Sequence, residues 1–348
     1  MTPLHRQIAS RIRTAGPMRL DEYMETCLLH PEHGYYATRD PFGGKGDFIT
    51  APEISQMFGE MIGLALGQSW LDQGATSPFT LAEIGPGRGT LMSDILRAIR
   101  IVPGMVDAAK VCLIEASAHL REVQRQKLGG ITHLGSVAEL PDQSLFLVAN
   151  EFFDALPIRQ FQRMPEGWAE RIVALDGEGA LQLGLAAPEP LDWPGEVGSI
   201  REICPAAAPI LQVVADRIRA FGGTAIFIDY GDWAGRGDTF QALRHHKPVD
   251  PLAEPGEADL TAHVDFAQLA HFARGAGCKV SHMIPQGEWL KRIGMAERAE
   301  RLRAAGDQGA DAAFQRLTDP SEMGHLFKVL AIWSPDAPTP PGFEPLDP

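Results

Sequence analysis

The feature that most constrains this chain is a glycine-rich turn that follows a short apolar strand. Residues 79–90 read FTLAEIGPGRGT, and an apolar helical pattern begins directly after them. Glycine adopts backbone conformations that other residues avoid, so a ligand can approach such a turn closely. The helix that follows offers main-chain N–H groups at its first turn. The segment therefore predicts a ligand-binding turn between a strand and a helix.

Strands and helices alternate on both sides of this turn, which is typical of an α/β fold with a doubly wound, parallel sheet. Apolar segments of strand length occur at 79–84, 109–115, 131–134, 145–150, 224–229, 278–284 and 326–333. Residues 158–190 alternate apolar and polar positions between glycine-rich turns, so they predict an antiparallel meander. A helix is expected over 199–221 and a long loop over 231–262.

The spacing of the glycine turn favours S-adenosyl-L-methionine (SAM) over a dinucleotide. A dinucleotide fingerprint needs a glycine at position 90, which is Thr90 here. The chain instead places an acid, Glu83, two residues before the first of three alternate glycines. SAM has no pyrophosphate, and the leading acid can interact with its cationic amino-acid end, directly or through water.

The next strand ends in Glu115, within the segment LIEAS. In doubly wound nucleotide sites an acid at this place accepts hydrogen bonds from ribose hydroxyls. Together with the glycine turn it predicts a SAM site, and the alternative is a structural turn beside a surface glutamate. The residues predicted on these grounds to bind the cofactor are Glu83, Gly85, Pro86, Gly87, Gly89, Glu115, Ala116 and Asn150.

The fourth strand runs into the sequence NEFFDALP, where two carboxylates lie three residues apart. The carboxyl ends of parallel strands face the ligand crevice, so Glu151 is expected in the site. Glu151 and Asp154 together suit a guanidinium, whose donors form a fork that carboxylates bind in bidentate fashion. Phe152 and Phe153 could stack on such a cation. The alternative is local: Asn150 or Asp154 caps a turn, and the phenylalanines are core.

A third carboxylate, Asp229, ends the strand at 224–229 and could line the acceptor pocket. We therefore predict Glu151, Asp154 and Asp229 as catalytic residues of a methyl transfer. This reaction is an in-line displacement that needs a well-held nucleophile and no metal. His263 is a weaker candidate, since a single histidine is more often packed or solvated. No spacing of histidines and acids resembles a metal site.

Composition disfavours several classes of function. The chain has 31 basic and 45 acidic residues among 348, and a net charge of −14 disfavours general nucleic-acid binding. Its four cysteines form no C-x-x-C pair, so neither structural zinc nor a disulfide scaffold is expected. No apolar run reaches the roughly 18 residues that a membrane span needs. The first 20 residues lack the apolar core of a signal peptide.

Seven blocks of sequence together resemble the MidA-like family of SAM-dependent methyltransferases. They are YMETCLLHPEHGYY (23–36), GDFITAPE (46–53), FGE (58–60), EIGPGRG (83–89), NEFFDALP (150–157), IDYG (228–231) and DLTAHVD (259–265). This family includes the mitochondrial protein arginine methyltransferase that assists assembly of respiratory complex I. The resemblance implies a class I methyltransferase fold with an inserted region.

The resemblance also implies a reaction and a location. The reaction is symmetric dimethylation of an arginine in a complex I subunit or its bacterial equivalent. The location is the cytoplasm for a bacterial chain and the mitochondrial matrix for a eukaryotic one. The segment at 46–50 is expected to cover the cofactor, with Asp47, Phe48 and Thr50 as binding residues, and a structural loop is the alternative.

Two further functions stay open, a SAM-binding assembly chaperone with dispensable catalysis and a small-molecule methyltransferase. An oligomer is also possible. The predicted domains are an N-terminal helical region with the cofactor-covering loop (1–75), a SAM-binding Rossmann-like domain (76–157 and 222–333), an inserted substrate or partner region (158–221) and an extended tail (334–348).

Overall fold

The computed structural model describes residues 1–38, 50–235 and 237–346. Contacts divide these residues into two compact units, each assembled from segments that are distant in sequence. The sheet unit contains the described residues of Ile49–Phe152, Ala208–Trp233 and Asp265–Pro348. The meander unit contains the described residues of Met1–Phe48, Phe153–Ala207 and Ala234–Val264.

Helices and strands are numbered separately in chain order. The helices are α1 (Pro3–Ala15), α2 (Leu20–Leu29), α3 (Tyr35–Thr38), α4 (Ala51–Ile54), α5 (Gln56–Asp72), α6 (Thr90–Ala98), α7 (Met105–Ala108), α8 (Ala118–Lys127), α9 (Ala207–Phe221), α10 (Phe266–Gly275), α11 (Gln286–Arg292), α12 (Met295–Ala304), α13 (Ala310–Thr318) and α14 (Met323–Leu326). The strands are β1 (Met18–Arg19), β2 (Phe79–Ile84), β3 (Ala109–Ile114), β4 (Ile131–Leu134), β5 (Leu145–Asn150), β6 (Arg159–Met164), β7 (Gly167–Leu175), β8 (Leu181–Leu185), β9 (Ile200–Ile203), β10 (Gly223–Asp232), β11 (Gln241–Arg244), β12 (Lys247–Val249), β13 (Asp259–Thr261), β14 (Val264–Asp265), β15 (Lys279–Val280), β16 (Ile284–Pro285) and β17 (Phe327–Trp333).

The sheet unit is built on one mixed sheet whose main path runs β15, β17, β10, β5, β2, β3, β4. The five strands β10, β5, β2, β3 and β4 are parallel to one another, whereas β17 is antiparallel to both β10 and β15. The strand order reverses between β2 and β5. Ligands of doubly wound sheets bind outside the carboxyl ends of the strands at such a switch point. The structure thus confirms the predicted α/β fold class.

The central strands are buried along their whole length, which explains their unbroken apolar sequences. In the register of β2 with β5, Ile84 pairs with Ala149, so Glu83 and Asn150 lie at the same end of the sheet. Helix α5 packs on α6 at close range. A Cβ on Gly59 would lie 2.6 Å from the Cβ of Asp94, so only glycine permits this approach.

The meander unit contains two antiparallel sheets in its described residues. One has the path β1, β7, β6, β9, with β8 also pairing β7, and the other has the order β12, β11, β13. Its core joins apolar residues of α1 and α2, such as Leu4 and Met24, to Val173 of β7. The hydroxyl of Tyr23 donates to the carbonyl of Pro251 at 2.6 Å, which ties α2 to the chain before β13.

Three local predictions were wrong. The expected loop over 231–262 contains β11, β12 and β13, and the expected helix over 199–221 begins with strand β9. The expected strand over 278–284 is split into β15 and β16. Pairing with a distant strand accounts for β9, which pairs with β6 through Glu202 and Gln160, and for β15 and β16, which pair with β17. Local periodicity does not record such pairing.

The compact units run differently from the predicted domain bounds. Helix α9, which was assigned to the inserted region, lies mostly in the sheet unit. There Arg217 Nε donates to the carbonyl of Leu140. Part of the predicted tail packs on the sheet unit: the indole N–H of Trp289 donates to the carbonyl of Pro341 at 3.2 Å, and Phe343 is buried. The functional roles of the predicted domains stay predictions.

Candidate active site

The glycine turn lies where β2 ends, at the switch point of the sheet. Gly85, Gly87 and Gly89 all have positive φ, at 66°, 51° and 74°. The turn closes with a hydrogen bond of 2.7 Å from the N–H of Gly89 to the carbonyl of Pro86, and helix α6 begins at the next residue. A Cβ on Gly85 would lie 3.0 Å from the ring of Phe152. Both backbone conformation and space therefore require glycine at the first position.

Glu83 is buried in β2, with 3% of its surface exposed. Burial raises the pKa of its carboxyl to about 8, an effect that the nearby Glu115 increases and a hydrogen bond from the main chain of Met92 decreases. Within the described residues its Oε2 atom has no hydrogen-bond partner. A buried acceptor without a partner costs about 1–3 kcal/mol, so the site favours a ligand that donates to it.

Glu115 follows β3, and its carboxylate is held by two donors. The N–H of Ser117 donates to Oε1 at 2.7 Å, and the Nε2 group of Gln124 donates to Oε2 at 3.4 Å. Burial raises the pKa of the Glu115 carboxyl, whereas these hydrogen bonds and Arg121 lower it. The neighbouring Ala116 is exposed.

At the end of β5, Glu151 has a positive φ of 52°, a left-handed conformation that costs a residue with a Cβ about 1–2 kcal/mol. The N–H of Glu151 donates to the carbonyl of Ile228, and its Oε1 accepts the N–H of Ala51 at 3.3 Å and the Nδ2 group of Asn150 at 3.0 Å. Surrounding structure thus holds a strained residue. The Oδ1 atom of Asn150 is buried and has no hydrogen-bond partner within the described residues.

Asp229 is buried at the end of the apolar part of β10, and its carboxylate accepts hydrogen bonds from the main chain. Its Oδ2 atom accepts the N–H of Phe152 at 3.1 Å, and its Oδ1 atom accepts the N–H of Tyr230 at 2.9 Å. The Oδ2 atom therefore contacts the turn that carries Glu151, and the Oδ1 atom contacts the next residue of β10. The catalytic role that the sequence predicts for Asp229 stays a prediction.

A short segment before α5 spans two strand ends of the sheet unit. Glu53 of α4 accepts a hydrogen bond from the hydroxyl of Thr90 at 2.5 Å, and Lys127 donates to the same hydroxyl at 2.6 Å. Two residues earlier, the N–H of Ala51 reaches Glu151. The sequence analysis missed the roles of Glu53 and Lys127. The only sequence signal was the position of Glu53 at the end of the block GDFITAPE.

Of the other predicted residues that the structure describes, Thr50 lies in the sheet unit and Asp154 in the meander unit. Thr50 precedes α4, and its carbonyl accepts the N–H of Glu53. Asp154 belongs to the meander unit, where its carbonyl accepts the N–H of Ala262. Phe153 is buried, and His263 is an exposed residue of the same unit. Asp47, Phe48 and most of the expected cofactor cover at 46–50 lie outside the described residues.

The residues at the end of β2 and β5 fit SAM. Two buried acceptor atoms, Oε2 of Glu83 and Oδ1 of Asn150, lie on neighbouring strands beside the glycine turn. A cationic amino-acid group offers the donors that such acceptors need, whereas a pyrophosphate would place negative charge beside a glutamate. Glu115 stands at the next strand end, where a ribose is bound in doubly wound folds.

Metal clusters and membrane-spanning helices were also sought in the described residues. Among the described residues, no three histidine, cysteine or acidic side chains are placed to hold a metal ion. In the same part of the chain, no helix combines the length and the apolar character that crossing a membrane requires.

The sheet topology and the acid-led glycine turn define a class of protein, the SAM-dependent methyltransferases of the doubly wound fold. Comparison with known proteins agrees. A family model described as "Putative S-adenosyl-L-methionine-dependent methyltransferase" matches residues 61–284. The chain belongs to this methyltransferase family, as its resemblance to the MidA-like sequences predicted.

Relatives of this chain are named protein arginine methyltransferases of mitochondria. "Protein arginine methyltransferase NDUFAF7, mitochondrial" is 35% identical in Mus musculus, over 95% of this chain and 84% of that protein. The Homo sapiens protein of the same name is 34% identical, over 95% of this chain and 83% of that protein. A Burkholderia thailandensis crystal structure bound to S-adenosyl-homocysteine is 27% identical, with a TM-score of 0.85 over 97% of this chain and 93% of that one. The chain is therefore a methyltransferase, and its methyl donor is SAM.

Proposed function

We propose that this chain is a protein arginine N-methyltransferase. Its substrate would be an arginine in a respiratory complex I subunit or the bacterial equivalent, and its product would be symmetric dimethylarginine. The names of the mammalian relatives support an arginine acceptor. The observation that carries the proposal is the placement of Glu151, a carboxylate held in a strained conformation beside the predicted cofactor site.

The cofactor half of the site is assigned first. We propose that Glu83 and Asn150 bind the amino-acid end of SAM, that Glu115 binds its ribose, and that the glycine turn lies against it. When bound, SAM supplies an electrophilic methyl group on a sulfonium. The chain's own part is to place two buried or half-buried carboxyl groups, Glu83 for the cationic amino-acid end and Glu115 for the ribose hydroxyls.

The acceptor half centres on Glu151. Its Oε1 atom is oriented by the N–H of Ala51 and by Asn150. We propose that this carboxylate binds one side of the guanidinium and directs the nitrogen on the other side towards the methyl group. With SAM bound, transfer would form a nitrogen–carbon bond as the sulfur–carbon bond breaks. The sulfur would leave as the neutral thioether of S-adenosyl-homocysteine, and the proton lost from the nitrogen would pass to water.

Asp229 acts in this proposal as a positioning residue, because its carboxylate holds the N–H of Phe152 directly after Glu151. Asp154 is kept as a predicted catalytic residue. It lies in the meander unit, with a surface exposure of 7%. Asp47, Phe48 and Thr50 are kept as candidates for covering the cofactor.

The test uses SAM with a deuterated methyl group and the purified subunits of respiratory complex I or of its bacterial equivalent. We expect methylarginine of increased mass in one subunit. Glu151→Gln should slow its formation by about 100-fold or more, because one polar partner at a reacting centre contributes on the order of 10²–10³ in rate. SAM affinity should stay within about threefold, since the amide keeps the side-chain volume.

Glu122→Gln is the matched control, because this exposed acid of α8 bonds only Arg125 and Gln126 among the described residues. Unchanged arginine methylation by Glu151→Gln would refute the role of Glu151. Heavy methyl groups found only on small molecules would refute the protein substrate. Restoration of complex assembly by a Glu151→Gln protein that binds SAM without methylating would favour the chaperone hypothesis.

A further inference from the structure

Gln124 of helix α8 is a fully buried amide that joins three parts of the sheet unit. Its Nε2 group donates to the carbonyl of Gly87 in the glycine turn at 2.6 Å. The same group donates to Oε2 of Glu115 at 3.4 Å, and its Oε1 atom contacts Nε2 of His133 in β4 at 2.8 Å. Both donor hydrogens and one acceptor site of the amide are therefore used.

The burial of this residue is unusual for its helix. Helix α8 is polar, and Leu120 and Gln124 are its buried residues. A buried amide is costly unless hydrogen bonds satisfy it, so its partners, rather than apolar packing, explain its position. The partner atoms also settle its orientation, because a carbonyl of Gly87 requires a donor, and the opposite side of the amide then accepts from His133.

We propose that Gln124 is a positioning residue for the cofactor ribose. It sets the distance between the glycine turn and the carboxylate of Glu115, and it holds that carboxylate in one rotamer together with the N–H of Ser117. This inference rests on the proposed role of Glu115 as the ribose acceptor. His133 supports Gln124 in turn, because its Nε2–H fixes the amide oxygen.

Recognition of the ribose should therefore depend on Gln124, although Gln124 does not itself need to contact the cofactor. Without the amide, Glu115 keeps the donor at Oε1 and loses the one at Oε2. Its carboxylate can then rotate, and the carbonyl of Gly87 loses its side-chain donor. Binding contributed by the ribose hydroxyls should weaken, while binding contributed by other parts of the cofactor should weaken less.

The test combines a protein change with a ligand change. The variant Gln124→Met keeps the side-chain length and removes all three hydrogen bonds. The ligands are S-adenosyl-homocysteine and its 2′-deoxy analogue, with dissociation constants measured by calorimetry. The native protein should prefer the hydroxylated ligand by about tenfold or more, as expected for a hydrogen bond to a charged group. In Gln124→Met we expect this preference to fall below about threefold, with a weaker affinity for S-adenosyl-homocysteine.

Gln126→Met is the matched control, since Gln126 is on the same helix, is exposed and bonds only Glu122 within the described residues. It should leave both constants unchanged. His133→Phe is the second variant, in case Gln124→Met does not fold. It releases only the amide oxygen, so the preference should fall by about two- to threefold.

Three results would overturn the inference or its basis, and they are distinguishable. If Glu115→Ala keeps the preference for the hydroxylated ligand, the proposed role of Glu115 is wrong. If Glu115→Ala loses the preference and Gln124→Met keeps it, only the inference fails. If Gln124→Met weakens both ligands by the same factor, Gln124 is structural and does not position the ribose acceptor.

Discussion

The ends of β2 and β5 are neighbours in the sheet and make their turns in opposite ways. After β2 the chain turns through three glycines with positive φ. After β5 the turn contains Glu151, which has a side chain and a positive φ of 52°. The β5 turn is therefore held from outside, by Asp229 on the N–H of Phe152 and by Ile228 on the N–H of Glu151.

This comparison distinguishes a turn that is determined by its own residues from a turn that is held by distant ones. Glycine forms the turn after β2 without strain, and because it has no side chain a ligand can approach the backbone closely. The β5 turn has to carry a carboxylate at a fixed place, and strain at such a position indicates function. In the first case the sequence records the conformation directly. In the second case the conformation depends on Asp229, which is far away in sequence and near in space.

The largest effect is expected from a substitution in the turn after β2. Gly85→Val should weaken binding of S-adenosyl-homocysteine by on the order of 100-fold or more, because glycines in such turns allow close approach of the ligand. The added Cβ would also lie 3.0 Å from Phe152, and the backbone has a φ of 66°. Calorimetry measures the affinity, and circular dichroism checks the fold.

Gly130→Val separates backbone strain from loss of the site. Gly130 has a similar φ of 70°, and a Cβ there would meet no atom within 4 Å. This variant should lose stability and keep its affinity within about twofold, since the two sites share no partner. Equal losses of affinity in both variants would mean that strain alone explains the effect at Gly85.

The next effect concerns the buried acid of the β2 end. Burial raises the pKa of Glu83 to about 8, so the carboxyl of the free protein is mostly neutral at pH 6. A cationic ligand favours the ionised form, and binding should therefore release a proton. SAM affinity should rise by about tenfold per pH unit between pH 6 and 7.5 and level off near 8. Calorimetry in buffers of different ionisation enthalpy measures the proton released.

Glu83→Gln should remove this pH dependence. The raised pKa of Glu83 should also make the stability of the native protein depend on pH. The folded pKa of about 8 lies above the ordinary value of 4.5, so the folded state holds the proton more tightly. The stability that this provides is present below pH 4.5 and is lost as the pH rises towards 8. A native protein with flat SAM affinity between pH 6 and 7.5 would show that Glu83 does not bind the cationic group.

Sequence reasoning predicted the turn after β2 and much of the fold. The strand at 79–84, the glycines and the α/β alternation are local patterns, and the structure reproduces them. It did not reach the parts that depend on distant pairing. The roles of Asp229, Glu53 and Gln124 follow from partners 77, 37 and 37 residues away. Hydrogen bonds of this range leave no periodicity in a single sequence.

The smallest expected effect is on stability, and it comes from substitutions of Glu151 in the turn after β5. Glu151→Gly and Glu151→Ala both remove the carboxylate and should both abolish methyl transfer. They should differ in stability, because the left-handed region costs alanine about 1–2 kcal/mol and costs glycine almost nothing. After the larger unfolded-state entropy of glycine is subtracted, the glycine variant should be more stable by about 1 kcal/mol.

The same pair of substitutions at Glu122, inside helix α8, should give the opposite order, with glycine less stable than alanine by about 1 kcal/mol. Thermal unfolding of the four variants measures both differences, which correspond to shifts of roughly 2 °C in a protein of this size. If alanine is the more stable residue at both positions, the turn after β5 does not hold Glu151 in the left-handed region. The carboxylate would then be placed by its side-chain partners, Ala51 and Asn150, rather than by backbone strain.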